Sequence, residues 1–215
     1  MDVLLSTTYF GPIQWYQKLC RADHAWIDHR ETFLKQTYRN RCIIASANGP
    51  QALTVPTERG TTIIKDIRIS DHGNWRHLHW QALRSAYGES PFFMYYEDDI
   101  RPFFERRWTY LVDFNEAIRE TLCELLDVQP KVGRLEHLEN LDNLVYLEHL
   151  ENLENLENLE NLDYRSAIQP KHPADDPDFV PRRYYQVYEA RHGFLPNLSI
   201  VDLLFNMGPE AVFYL

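Results

Sequence analysis

Hydrophobic and polar positions change their spacing several times along the chain, and each change marks an element. The run Val3-Leu4-Leu5-Ser6-Thr7-Thr8-Tyr9-Phe10 is short, apolar and β-prone, and Gly11-Pro12 closes it. It predicts a buried strand that opens into a loop. Pro12 suits the first turn of a helix whose buried side is Ile13, Trp15, Tyr16 and Leu19. Further strands are predicted over 24–28, 42–46, 52–55, 62–69 and 92–96, with Asn48-Gly49-Pro50 turning the chain between the second and third of these. Behind Asn74 as N-cap, Trp75, His79, Ala82, Leu83, Ala86 and Tyr87 share one helical face, and Ser90-Pro91 ends that helix. Asp113 and Glu116 have the spacing of a capping box ahead of Phe114, Ile118, Leu122, Leu125 and Leu126. Near the end, Ser199 caps a helix that is apolar on nearly all sides, and Gly208 and Pro209 stop it. Such a helix belongs in a core. Alternating strands and helices predict a single α/β or mixed α+β domain, a central sheet flanked by helices.

One stretch breaks these rules. From 135 to 162 leucine recurs at every third residue, from Leu135 and Leu138 through Leu159 to Leu162. An α-helix advances about 100° per residue, so a step of three falls about 60° short of a turn and winds leucine around the whole cylinder. A coiled coil needs an average spacing of 3.5. A leucine-rich repeat needs a longer unit. A 3₁₀-helix would align the leucines, but such runs rarely exceed about four residues. The near-identical Leu-Glu-Asn triplets therefore predict a low-complexity insertion, with a partner-binding helix as the alternative. The predicted layout is a main part over 1–130, an insertion over 131–163 and a C-terminal part over 164–215 that completes the same domain.

The insertion also distorts the charge. Its leucine repeat over 135–162 holds eight acids and no Lys or Arg, so of a formal net charge of −10 only about −2 belongs to the rest. Nothing there suggests a nucleic-acid binder. Cys20, Cys42 and Cys123 are odd in number and far apart, which fits reduced thiols better than a zinc site or a disulfide framework. The start, MDVLLSTTYF, has an acid where a leader peptide needs base, and no segment approaches a membrane span. A soluble, cytoplasmic protein is expected.

The densest polar segment is Lys35-Gln36-Thr37-Tyr38-Arg39-Asn40-Arg41. In an extended chain Arg39 and Arg41 lie on one side, and guanidinium forks suit phosphate or carboxylate. Asn40 adds fixed-geometry donors, and Lys35 a further cation. The same cluster also reads as a solvated loop. His77 and His79 diverge by about 200° on a helix, so they cannot share an ion. His77 faces water. His79 lies on the apolar face, either as a hydrogen-bonded core histidine or as a proton carrier. Glu97-Asp98-Asp99 reads as solvated acids at a helix N-terminus. Asp202 and Asn206 must find partners if buried. Tyr9 and Gln14 flank the end of the first strand and would shape a pocket there. The loop between them has neither GxGxxG nor the HxGH of nucleotidylyltransferases, and HExxH, GxSxG and a P-loop are absent from the chain. No metal site is predicted.

Several strings together resemble the WbqC-like protein family: LLSTTYFGPIQWYQKL, KQTYRNRC, LTVP, WRHLHWQALRSAYGESPFFMYYED and YYQVYEARHGFLPNLSIVDLLFNMGPE. The likeness covers the chain apart from about 131–163, and the last string has the form of members from Bacteroidetes. Members occur in gene clusters for O-antigen and other surface polysaccharides, and a glycine (aminoacyl) transferase role has been suggested for one branch. The resemblance thus implies a transferase in surface-polysaccharide or related sugar-precursor biosynthesis. Its site would use Lys35, Arg39, Asn40 and Arg41 on a small anionic substrate, such as a nucleotide sugar or sugar phosphate, and His79 as proton carrier. The alternative is a non-catalytic binding or assembly protein that recognises an anionic ligand or a partner's carboxylates. Neither a cofactor nor an oligomeric state is implied.

Overall fold

The computed structural model describes residues 1–135 and 163–215. The insertion reading and its partner-helix alternative fall mostly on 136–162, outside the described residues. The chain starts with β1 (Val3–Ser6), crosses over through α1 (Ile13–Arg21) and returns as β2 (Ala25–Asp28) beside and parallel to β1. A hairpin of β3 (Arg41–Ser46) and β4 (Gly49–Thr54) follows. Then come α2 (Trp75–Tyr87), α3 (Phe93–Ile100), α4 (Pro102–Glu105) and α5 (Leu111–Leu125). β5 (Val132–Leu135) pairs parallel to β2, giving the sheet order β1-β2-β5. The short α6 (Glu189–His192), then α7 (Ile200–Met207) and a 3₁₀ turn (Gly208–Tyr214), end the chain. This is a mixed α/β domain with a small parallel sheet flanked by helices.

The third strand of the sheet lies inside the range assigned to the insertion. Gly133 is what lets it pair, because a Cβ there would sit 2.4 Å from the Trp26 ring. Asp163, where the description resumes, bridges in parallel to Leu4, and the Tyr164 N–H donates to the Leu4 carbonyl at 3.0 Å. The chain on both sides of 136–162 is therefore tied to this one sheet.

Core formation follows the periodicities. Trp15, Tyr16 and Leu19 of α1, Phe114, Ile118 and Leu122 of α5, and Ile200, Val201, Leu203, Leu204 and Phe205 of α7 are all buried. The last helix is central, as its all-round apolar surface requires. It also clamps the loop after β1. The Ile13 N–H donates to the Leu198 carbonyl at 3.0 Å, the Ile200 N–H to Gly11 O at 2.9 Å, and Ser199 Oγ to Phe10 O at 2.7 Å. Ser199 precedes α7, but its hydroxyl serves that loop and makes no cap. Gly11 has no room for a side chain, since a Cβ would approach Thr8 Oγ1 to 2.4 Å. Phe10, buried beside it, takes a φ of 43°.

Four further expectations need correction. Residues 92–96 are not a strand. Phe93, Tyr96 and Ile100 turn inward at helical spacing while Met94 and Tyr95 are exposed, so the period is 3.6 and the segment opens α3. Glu97, Asp98 and Asp99 consequently sit late in α3, not at a helix N-terminus. Residues 62–69 form no regular strand either. Ile63, Arg68 and Ile69 each bridge a different neighbour (Thr32, Tyr110 and Thr57), and a 3₁₀ turn over Ile64–Asp66 interrupts them. No single neighbour runs alongside to make a ladder. Finally, Asp113 and Glu116 are no capping box, because α5 starts at Leu111 behind Tyr110 and Glu116 points into the protein.

Candidate functional site

In parallel sheets with helical crossovers, ligands bind beyond the carboxyl ends of the strands, where loops diverge and strand ends leave polar groups unpaired. Here β1 ends at Ser6, directly across from Asp28 at the end of β2, and His29, Arg30 and Glu31 follow. Arg39 reaches this edge from the turn ahead of β3. Its Nε donates to Glu31 Oε1 at 2.8 Å, its Nη2 to Ser6 Oγ at 2.8 Å and also to Glu31 Oε2, and its Nη1 to Thr37 Oγ1 at 3.3 Å. Ser6 Oγ donates in turn to Glu31 Oε2 at 3.1 Å. The Arg39 side chain is 4% exposed and that of Glu31 7%.

A second guanidinium joins from beyond the insertion. Arg165 Nη1 donates to Asp28 Oδ2 at 2.5 Å, while its Nε and Nη2 fork onto Asp163 at 2.9 and 2.6 Å. Burial pushes the Asp163 carboxyl up, but the Arg165 hydrogen bonds and charge, with Arg39 behind them, hold it below the ordinary range. Hydrogen bonding to Asp163 raises the Arg165 pKa against the opposing effect of burial, and the charges of Asp28 and Glu31 add to it. Ser6, Asp28, Glu31, Arg39, Asp163 and Arg165 thus form one network. Its inner members are closed off. Arg165 and Asp163, about a third exposed, form its mouth.

His29 follows Asp28 directly, just beyond the end of β2. Its Nε2 lies 3.8 Å from Glu116 Oε1 of α5, and both side chains are buried. Burial pushes Glu116 up, but the neighbouring His29 and the charges of Arg119 and Arg134 leave it lowered. At that separation the carboxylate acts on the imidazole through charge, which makes His29, just beyond a strand's carboxyl end, a candidate proton carrier.

The residues singled out from the sequence fall in separate places. Tyr9 and His79 meet, with the Tyr9 hydroxyl 2.8 Å from His79 Nδ1, in a buried nest that includes Trp75, Phe104 and Phe114. Burial drives the His79 pKa down to about 4, against the smaller effect of a hydrogen bond to the Thr54 backbone. It also pushes Tyr9 far above its ordinary value. The pair is neutral. Gln14 instead joins a third cluster. Its Nε2 donates to Asp176 Oδ2 at 2.8 Å, its backbone N–H donates to Asn197 Oδ1, and its Oε1 accepts from Asn197 Nδ2. Lys18 Nζ lies 2.7 Å from Asp176 Oδ1 and 4.3 Å from the centre of the Tyr164 ring. With Leu198 and Asn197 accepting its first N–H groups, α1 presents no open N-terminus to a phosphate.

Arg41 donates to Thr54 Oγ1 at 2.8 Å across the hairpin, and Asn40 Nδ2 to the Val55 carbonyl at 2.9 Å. Lys35 stands exposed on its turn. Of the three cations expected to converge, only Arg39 reaches the sheet edge. Ser6, Asp28, His29, Glu31, Glu116, Asp163 and Arg165 were passed over. The available signal was position: Asp28 ends a strand of a parallel sheet, and His29 and Glu31 follow at its carboxyl end.

Asp202 is fully buried on α7. It accepts from Tyr87 Oη at 2.8 Å, Tyr184 Oη at 2.6 Å and Gln186 Nε2 at 3.3 Å, and Asn206 Nδ2 bonds its carbonyl. Burial lifts its pKa to about 6 despite these donors. The thiols are also pushed up by burial, Cys20 to about 12 and Cys123 to about 11. Among the described residues no three His, Cys, Asp or Glu side chains converge as a metal site, and no helix is long and apolar enough to cross a membrane.

Comparison with known proteins supplies the lineage. The uncharacterized protein Rv1507c of Mycobacterium tuberculosis is 28% identical over 199 residues, covering 85% of this chain and 83% of that protein. No solved structure matches. The sequence model of the WbqC-like protein family matches residues 7–214, from the loop after β1 to the final turn, and the protein therefore belongs to that family.

Proposed function

We propose that this protein is a transferase acting in surface-polysaccharide, O-antigen type, or related sugar-precursor biosynthesis, with its reaction at the carboxyl edge of the β1-β2-β5 sheet. The observation that supports this reading is the convergence of Ser6, Asp28, Glu31, Arg39, Asp163 and Arg165 from four separate segments onto that edge. A small anionic substrate, such as a nucleotide sugar or sugar phosphate, meets Arg165 at the mouth and displaces Asp163 from its fork. Arg39 holds Glu31 and Ser6 in place from behind. Acyl or aminoacyl transfer needs a proton acceptor near the attacking group and donors for the developing oxyanion. In this reading His29, which faces the Glu116 carboxylate, is the proton carrier and Arg165 the donor. His79 supports the site from the core, since both its polar contacts are already made within the protein.

The second reading is a non-catalytic binding or assembly protein. It draws on the fact that the network's charges already satisfy one another, so that Arg165 fastens the segment after the insertion to the sheet. A thermal-shift panel of nucleotide sugars, sugar phosphates and amino acids separates the two, because a ligand of the native state raises Tm by mass action. The transferase reading expects a substrate class whose stabilisation disappears in Arg165→Gln and whose turnover is lost in His29→Gln with the fold intact. Turnover that survives both substitutions would sink it.

A further inference from the structure

A depression outside this network lies between the start of α2 and the segment 104–107, with a volume of about 380 Å³. That volume falls in the range of small-ligand pockets. Its wall is aromatic: Trp80, half-buried, stacks on Phe104 with ring centres 5.9 Å apart. Its rim carries Arg76, Arg107 and the exposed imidazole of His77. None of these residues belongs to the sheet-edge network.

The charge balance at the rim favours an anion. Arg76 and Arg107 share a single carboxylate, Asp71, which Arg76 binds directly and Arg107 approaches only to 3.5 Å. The Arg107 side chain is 85% exposed and has donors to spare. Glu105, the one acid in the lining, is drawn off by Arg101 at 3.1 Å. Two guanidiniums against one shared carboxylate leave about one positive charge facing the depression, beside an indole that has not been fully covered. A second open groove of about 360 Å³, between the hairpin turn and α2, makes the contrast, for Ser46, Asn48, Gln51, Gln81 and Ser85 line it with neutral groups only.

We propose that the depression beside Trp80 is a second ligand site, which takes a phosphate ester carried on a ring. The phosphate lies between Arg107 and Arg76, where guanidinium forks match its oxygens. The ring rests against Trp80 and Phe104, and His77 supplies a further polar contact at the mouth. The ring is that of a nucleoside or of a sugar; both present a phosphate beside a face that an aromatic wall accepts.

The test is a titration of the ¹⁵N-labelled full chain with inorganic phosphate, uridine monophosphate and glucose 1-phosphate, following the Trp80 indole N–H. Saturable shifts with a Kd of about 1 mM or tighter are expected for a ring-bearing phosphate, and binding at least about tenfold weaker for phosphate alone. Whichever ester binds identifies the ring. Arg107→Ser, an exposed substitution, should weaken binding roughly tenfold with Tm unchanged. Arg165→Gln should leave binding untouched, so this site stands or falls separately from the sheet-edge reading. No saturable shift, equal binding of bare phosphate, or indifference to both Arg107→Ser and Arg76→Gln would each overturn the proposal.

Discussion

Asp202 on α7 and Asp163 at the sheet edge are both carboxylates fixed by several hydrogen bonds, yet their surroundings push them in opposite directions. Asp202 is sealed in the core with donors that are all neutral, two phenols and an amide, and burial raises its pKa to about 6. Asp163 is half-buried and faces a guanidinium, and its pKa falls. Neutral donors satisfy an acid's lone pairs without offsetting the cost of its charge, whereas a cation does both. The α7 node therefore reads as architecture, joining α2, α7 and the segment around Tyr184. The sheet edge instead carries paired charges next to solvent, where the proposed substrate would meet them.

The sharpest way to break that comparison is to unpair the inner part of the edge. Glu31→Ala leaves Arg39 buried and uncompensated, and should cost about 3–5 kcal/mol in denaturant unfolding. A cost under about 1 kcal/mol would mean that water reaches Arg39 and that the network is open throughout. Asp202→Ala strands two buried tyrosine hydroxyls, and a loss of about 2–4 kcal/mol is expected by the same assay.

A pH series then separates the two carboxylates. The Asp202 pKa is higher folded than unfolded, so its contribution is fully present below the unfolded value near 3.9 and is lost as pH rises through about 6. Asp163 has a lowered folded value, so its contribution is present above the ordinary carboxylate range and is lost as pH falls. Accordingly the stability gap between wild type and Asp202→Asn should be widest near pH 4 and narrow toward pH 7. A gap that widens with pH would contradict the burial account. At the rim, Arg165→Gln should cost no more than about 1 kcal/mol, because that side chain is a third exposed and solvent screens its pairs. Its effect belongs in ligand binding, measured as the loss of the ligand-induced rise in Tm.

How far these features could be read in advance depended on the range of the forces involved. α1, α2, α5, α7 and the β3–β4 hairpin follow from spacing and turn residues, since a helix or hairpin repeats its pattern over neighbouring positions. Segment 92–96 misled because four aromatic residues in five favour a strand locally, and only the placement of Ile100 inside the core shows the helical period. Residues 62–69 carry strand-like side chains, yet a strand also needs a continuous neighbour, and the fold gives them three separate ones. Asp202 with Asn206 was legible as a buried polar pair in need of partners, although Tyr87 and Tyr184 could not be named. His79 was legible as a residue of an apolar face, and its bond to Tyr9 was not.

The sequence by itself determined the membership of the core, most of the helices, the family and the peculiarity of the triplet repeat, because all of these are carried by composition and short-range order. Only the tertiary structure decided which charges meet. Arg165 and Asp28 are separated by 137 positions and Lys18 and Asp176 by 158. Hydrophobic periodicity says which face of an element turns inward, but ion pairing is settled by where the carboxyl ends of β1 and β2 come to rest. There a parallel sheet gathers the ends of its strands, and the side chains that follow them have nowhere to go but toward one another.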